Sequence, residues 1–498
     1  MAFSGFLPSL DAMSLQVDTE RLQRILSASL PADAAGAELF IESRLGVSVE
    51  LSAPGDGLGE SRSDIERRRE SGAHLRRFFE KRHESFVLDA PTSASIEALV
   101  LHPEAITASW VSEEVHVGVP RPDPGPLAPG ADRLDAIDST SSGPWSASFL
   151  EAATTLLEGW LQALDRRMRS SGAIFRATAS LDGQVQDVIV LSAGDDPKRD
   201  TRSFVDAVLR LDLTRARRTI SVRQALSSLS LTGLAASAGG AGDLAAELHR
   251  RALERMDAIA PPREELPVIF ASPSGGFLLH EVCGHLLEAD HIIRGTSPFV
   301  AARGKSIASQ LLTLSDDGAI EGMRGSLLFD DEGATTRRTP LILGGKLAGF
   351  LSDRLTAFST GGASTGNGRR QTYRDTPMPR TTNLIIEPGD EDSAHILSGT
   401  GRGLLVERLG RGHVEPATGH FALAVEEAHL IAGGRVDAPV AGAVLHGRAA
   451  DMLPAIDAIG SDPRVDRGSP RCIKQGQAVR FGILQPTLRV RSLMVSDR

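Results

Sequence analysis

Residues 275–290 read Gly-Gly-Phe-Leu-Leu-His-Glu-Val-Cys-Gly-His-Leu-Leu-Glu-Ala-Asp, and this stretch restricts the chain more than any other. His280, Glu281 and His285 fall within six residues on an otherwise apolar background, and Glu288 and Asp290 follow. A metal-binding helix with Glu281 as the proton-transfer group fits this composition. The spacing is unusual, because the common zinc-protease signature H-E-x-x-H sets its ligands four apart on one face. Here they are five apart, which on a regular α-helix turns the two imidazoles roughly 140° from each other. A one-residue widening into a π turn would bring them together, and such turns favour functional sites. Gly284, just before His285, would make a distorted turn easier. Chance would produce H-E-x-x-x-H roughly 0.02 times in a chain of this composition. The competing explanation is a helix start whose histidines bond to backbone groups.

Catalytic zinc usually takes three protein ligands and keeps one open position. Two histidines leave one place to fill. The chain has two cysteines, Cys283 inside the motif and Cys472 far downstream in a Gly-bearing stretch, 468–477. A thiolate in that Gly-rich loop, Cys472, is a plausible third ligand; the alternatives are a buried structural cysteine or a Cys283–Cys472 disulfide.

Several blocks resemble the TldD/PmbA family of metalloproteases. They are residues 276–290, Arg294-Gly295-Thr296-Ser297, Phe329-Asp330-Asp331-Glu332-Gly333, Thr365-Gly366-Asn367-Gly368-Arg369-Arg370, residues 377–383, Cys472 through Gln477, and residues 485–490. They run in family order across residues 267–490, and the match is looser upstream. The chain resembles the TldD type, which carries H-E-x-x-x-H, and not the PmbA (TldE) type, which lacks it. The resemblance implies that His280, His285 and Cys472 hold zinc and that Glu281 is the general base, with Cys283 a filler. It also implies a homodimer or a heterodimer with a PmbA/TldE-type subunit. Its substrates would be short or unfolded peptides, including precursor peptides of modified natural products.

Composition narrows the alternatives. At 498 residues, 41% hydrophobic and 24% charged, the chain can bury more than one core. Its net charge of −10 supplies no basic field for phosphates, so nucleic acid is not an expected partner. No run approaches the ~18 apolar residues of a membrane span. Two cysteines do not make a disulfide framework, and a thiolate ligand suits a reducing compartment; both point to the cytoplasm.

The expected fold class is α+β. An N-terminal domain, residues 1–240, would lay helices on an antiparallel sheet as scaffold or dimer contact. A β-rich C-terminal metallopeptidase domain, residues 241–498, would carry the zinc helix. In the first half, residues 1–18 read as a poorly ordered lead-in. A helix over 19–30 has Thr19 as its cap, and strands at 38–42 and 47–53 flank Leu45-Gly46. Residues 55–69 read as a loop, followed by strands at 75–79 and 85–88 and a helix from Ser93. Residues 117–144 form a linker, and an amphipathic helix over 146–167 places Leu150, Leu157, Leu161 and Leu164 on one side. Asp182-Gly183 signals a hairpin turn between strands at 174–181 and 185–191, and strands at 205–213 and 219–222 follow. Residues 234–242 read as a small-residue linker, then Asp243 caps a helix to 260. A buried strand at 267–271 leads to the motif. Further on, Gly344-Gly345 and Gly433-Gly434 separate strand pairs, and Gln485-Pro486 breaks strands at 478–484 and 487–493.

Other motifs are weaker. Gly399-Thr400-Gly401-Arg402-Gly403 and Gly366-Asn367-Gly368 lack the P-loop Lys-Ser/Thr. Asp316-Asp317-Gly318 and residues 330–333 lack EF-hand spacing and read as turns. Arg369, Arg370, Arg374 and Arg380 are either a solvated basic loop or a clamp for a peptide carboxylate. The function these observations imply is a zinc-dependent peptidase. The alternatives are a peptide-binding or assembly subunit without catalysis, and a zinc amidase on non-peptide substrates.

Overall fold

The computed structural model describes residues 17–53, 62–79, 82–103, 110–113, 147–171, 174–215, 217–468 and 470–497. Residues 1–16 of the expected lead-in, residues 54–61 and the expected linker at 117–144 lie outside them. The chain divides into two compact units. The first comprises Met1–Asp212, Arg223–Ala246 and Thr372–Thr376; the second comprises Leu213–Val222, Glu247–Gln371 and Pro377–Arg498. The fold class is α+β, as expected, with a β-rich second half.

Most of a seven-stranded sheet lies in the first unit. Its strands are β1 (Gly36–Ala53), β2 (Arg62–Phe78), β3 (Arg82–Asp89), β4 (Trp110–Glu113), β5 (Ile174–Ser192), β6 (Lys198–Arg215) and β7 (Arg218–Ser228), in the order β4-β3-β2-β1-β5-β6-β7. Three local expectations fail here for one reason. β1 runs unbroken through Leu45-Gly46, residues 62–69 are strand and not loop, and Asp182-Gly183 lies mid-strand. β1 is paired antiparallel along its whole length on both sides, with Gly46 opposite Arg68 and Gln184, and Val47 opposite Gly183. A turn signal spans two residues, whereas this pairing fixes a long run of backbone hydrogen bonds, and the ladder prevails.

One face of the sheet buries Leu39, Ile41, Leu75 and Leu191 against α1 (Thr19–Ala28) and α2 (Ser93–Leu101). Asp18, not Thr19, caps α1 by accepting from the Arg21 N–H, and Leu22 and Leu26 form its buried stripe. A Thr92–Ser95 capping box starts α2. The helix α3 (Ala147–Ser171) packs on β1 and β5 and buries the four leucines expected of it. On β2, the ring of Tyr373 covers Gly72 where a Cβ would lie 1.9 Å away. The Tyr373 N–H donates to Glu42 at 2.7 Å, and its hydroxyl donates to Asp89.

Residues 234–242 are not a linker. They contribute to α4 (Leu231–Ala238) and α5 (Ala241–Asp257), separated only by Gly239 and Gly240. Alanine is the best helix former, so small residues here are helical residues. Asp243 therefore stands in the first turn of α5 and does not cap it.

In the second unit, five strands pair in a closed ring: Arg402–Val414, Glu264–Phe270, Leu488–Asp497, Ala443–Arg448 and His420–Ala432, which returns to the first. Closure removes free edges. A six-stranded sheet runs Lys346–Leu347, Arg338–Leu343, Leu314–Asp317, Asn383–Ile386, Gly482–Gln485 and Arg464–Val465. The glycine pairs at 344–345 and 433–434 do turn the chain, all four in the left-handed region. The stretch expected as one strand over 478–484 is two, Gln477–Arg480 and Gly482–Gln485, parted at Phe481. No helix among the described residues is long and apolar enough to cross a membrane.

Candidate metal centre

The strand Glu264–Phe270 delivers the chain to a short α-helical turn, Gly276–Leu279. Next comes a π turn, His280–Gly284, and then a 3₁₀ turn, His285–Leu287. The His285 N–H bonds to the His280 carbonyl, the i to i+5 link that a π turn requires. The widened turn expected from the five-residue spacing is therefore present. It brings the two imidazole centroids to 4.8 Å at an interplanar angle of 61°. Leu278, Leu279, Val282, Cys283, Leu286 and Leu287 are all fully buried in the main core of the second unit. Each buried leucine is worth about 1.5–3 kcal/mol, so the apolar residues hold the irregular turn in place.

Gly284 acts otherwise than flexibility would suggest. Its φ of −50° and ψ of −61° are ordinary right-handed helix. What matters is the missing side chain: a Cβ there would lie 2.9 Å from His280 Nδ1 and 3.1 Å from Thr381 Oγ1. Gly276 likewise permits close packing, since a Cβ would sit 2.1 Å from Ile483 Cγ2.

Cys472 arrives on a strand and not a loop. Arg471–Lys474 pairs antiparallel with Gln477–Arg480, and alternate residues Cys472 and Lys474 point inward while Arg471 and Ile473 are exposed. The fully buried Arg380 donates to the carbonyls of Cys472 and Gln477 and pins this hairpin. Ligand atoms of His280, His285 and Cys472 all lie within 4.8 Å of one another. Cys472 Sγ is 3.5 Å from His285 Nε2. The ring of His280 stacks on Phe481 at 3.9 Å, and neither of its buried nitrogens has a hydrogen-bond partner. An unsatisfied buried nitrogen is costly, and a cation on it removes the cost. Two imidazoles and one thiolate are a donor set that suits zinc.

The charges are arranged for the same task. Burial opposes ionisation of Cys472, but the positive charges of His285 and Arg380 outweigh it and hold the thiol well below its ordinary range. Burial also opposes a charged His285, and Cys472 and Glu288 outweigh it, so His285 is raised. A thiolate–imidazolium pair results, and a bound cation would take the place of the imidazolium proton. His285 Nδ1 faces Glu288 Oε2 at 3.5 Å. Burial alone would raise Glu288; Lys474 and His285 bring it down instead. Lys474 Nζ donates to Glu288 at 2.7 Å and to Asp290 at 2.8 Å.

Glu281 lies half-buried in the π turn. Cys283 is apart from the cluster, buried in the core, and burial pushes its thiol up. Both cysteines are free, so the disulfide alternative fails. The basic-loop expectation also changes. Arg369, Arg370 and Arg380 are buried, donating to backbone carbonyls of Thr381, Asp331, and Cys472 and Gln477 respectively. These three are therefore not a solvated loop; Arg374, the fourth, is exposed and donates to Asp89 at 2.9 Å. Residues 330–333 do form turns, with Asp330 accepting from the N–H groups of Glu332, Ala334 and Gly368. Lys474, Phe481 and Thr381 were not anticipated. Only the alternation Cys472-Ile473-Lys474 could have revealed Lys474 from sequence.

Comparison with known proteins gives the family. Residues 263–497 match the family described as the PmbA/TldA metallopeptidase C-terminal domain. A protein from Haemophilus influenzae named metalloprotease TldD homolog is 32% identical over 351 residues, 67% of this chain and 70% of that protein. A Saccharolobus solfataricus protein named zinc metalloprotease TldD homolog is 31% identical over 252 residues, 50% of this chain and 56% of its own length. The crystal structure of TldE from Thermococcus kodakarensis shares the fold, with a TM-score of 0.68 over 96% of this chain and 99% of that one, at 18% identity. The chain belongs to the TldD/PmbA family of metallopeptidases.

Proposed function

We propose that this chain is a zinc-dependent peptidase in which His280, His285 and Cys472 hold the ion and Glu281 is the general base. The observation that carries the proposal is the π turn, which sets two histidines five apart beside a buried cysteine. Zinc held there would polarise a substrate carbonyl and favour ionisation of a water molecule. Glu281, next to His280 and half-buried, would accept the proton of the attacking water and return it to the leaving amine. Glu288 would accept from His285 Nδ1 and so keep Nε2 turned toward Cys472.

Zinc is supported by the donor set and by the name of the Saccharolobus solfataricus relative. The substrates we assign are short or unfolded peptides, including precursor peptides of modified natural products. We assign the chemistry to residues 241–498 and a scaffold or dimer role to residues 1–240. On the family resemblance we assign a dimer, either of like chains or with a PmbA/TldE-type subunit. A free thiolate suits a reducing compartment, which supports a cytoplasmic location.

Glu281→Gln is the test. It keeps size and hydrogen bonding but cannot take the proton. Zinc content should stay near that of the wild type while peptide cleavage falls roughly 10²–10⁴-fold. Unchanged cleavage removes Glu281 as the base. Loss of zinc makes it a ligand instead. A zinc-loaded wild type that cleaves no peptide leaves the assembly subunit or the amidase.

A further inference from the structure

Behind His285 lies a buried charge cluster that the peptidase reading does not need for its ligand set. Lys474 is only 6% exposed, Glu288 not at all, and Asp290 6%. Lysine is almost never buried this far unless paired. Here its ammonium contacts both carboxylates and lies 3.4 Å from the Pro379 carbonyl. Arg294 approaches Asp290 from the other side at 3.2 Å. The ligand atoms of Glu288, Asp290 and His291 also gather within 4.8 Å of one another, but the Lys474 ammonium already serves as the cation for the two carboxylates.

Stability alone is a poor reason for such a cluster. Taking several charges out of water is expensive, and apolar replacements of buried ion pairs are often neutral or stabilising. Two geometric facts give a better one. Lys474 sits two residues after Cys472 on the inward face of one strand, so seating the ammonium also seats the sulfur. And Glu288, which Lys474 holds, is the group that faces His285 Nδ1.

We propose that Lys474 is a positioning residue that locks Cys472 and His285 into one arrangement, the first through its strand and the second through Glu288. The proposal rests on the reading of His280, His285 and Cys472 as metal ligands. It adds that docking of the hairpin Arg471–Arg480 and orientation of His285 are one event. The centre is then assembled by an ammonium that touches neither metal nor substrate.

The test uses the full chain and two probes, zinc and cobalt(II). The zinc dissociation constant is measured by competition with a chromophoric chelator at fixed pH. The absorption spectrum of the cobalt-loaded protein reports the number and kind of ligands. Partners of metal-ligating histidines typically matter 10–100-fold for affinity. Lys474→Met should weaken zinc by that factor and alter the cobalt spectrum. Glu288→Gln should do the same, and the double variant should lose less than the product of the two single losses, since both act on His285. Lys474→Met leaves two carboxylates buried without their cation. If it fails to fold, the double variant, which removes one of those charges, is compared with Glu288→Gln alone and should bind zinc more weakly by more than twofold but less than tenfold, the remaining loss coming through the Cys472 strand; equal binding overturns the proposal. Zinc binding by Lys474→Met within twofold of the wild type, with an unchanged cobalt spectrum, overturns the proposal. So do single losses that multiply in full. A wild type that takes up neither metal fails the metal-centre reading itself, a result visible before any variant is made.

Discussion

Gly284→Ala separates two reasons for a glycine in the π turn. The backbone at Gly284 is right-handed helix, so alanine fits the conformation and should gain about 1 kcal/mol in helix propensity. Against this, its Cβ would stand 2.9 Å from His280 Nδ1 and 3.1 Å from Thr381 Oγ1, both closer than normal contact. His280 cannot retreat freely, because Phe481 stacks on its ring at 3.9 Å. Overpacking of this kind costs about 1–3 kcal/mol. The net change in folding therefore runs from nearly neutral to about 2 kcal/mol destabilising. Metal binding should suffer more visibly, since the strain falls on His280, a proposed ligand. If the same 1–3 kcal/mol is lost from ligand geometry, affinity drops roughly 5–150-fold. Urea unfolding of the metal-free protein and chelator competition for zinc measure the two effects separately. A variant that is more stable than the wild type and binds zinc equally well would refute the steric argument, and would mean that helix propensity alone governs this position.

Two further outcomes follow from the same geometry. Cys472→Ala should remove most of the zinc, whereas Cys283→Ala should leave zinc content unchanged, because only Cys472 joins the histidine cluster; metal analysis of both purified variants decides it, and the reverse pattern would reassign the ligand. Asp316 is pushed up to about 6 by burial, despite donors from Thr382 and Asn367. Its folded value thus lies above its unfolded one, so its contribution is fully present below about pH 4 and is lost as pH rises through about 6. Measured against Asp316→Asn, the wild type should gain stability between pH 7 and pH 4.5 in urea unfolding, and parallel curves would show that Asp316 does not titrate in this window.

What could be read from the sequence depended on how local the governing interaction was. α3 was legible because its leucines repeat at helical spacing and are buried for that reason. The Gly433-Gly434 turn was legible because its left-handed backbone is a property of the two residues themselves. Asp182-Gly183 carries a turn signal as strong, yet it lies opposite Val47 and Ser48 in an uninterrupted ladder. Nothing within ten residues of it reveals that partner. The alanines at 235, 236 and 238 misled in the opposite direction: small residues look like a linker in composition, but they have no side-chain entropy to lose in a helix.

The site divides along the same line. The π turn was legible because His280 and His285 cannot meet on a regular helix, so the spacing itself demands the distortion. The partner of those histidines, Cys472, lies 187 positions from His285, and no periodicity reaches that far. Chemistry makes its thiolate a candidate, and only the family resemblance singles it out as the ligand. Lys474 was missed although it stands two residues from Cys472, because a lysine in a polar stretch ordinarily points to solvent. What reverses that expectation is the strand: once Cys472 faces inward, the alternation puts Lys474 on the same side, and a buried ammonium must have carboxylates waiting for it. Glu288 and Asp290, placed just past the second histidine, are those carboxylates. Their spacing after His285 and the spacing of Lys474 after Cys472 are thus two halves of one requirement, and each is meaningless in sequence without the other.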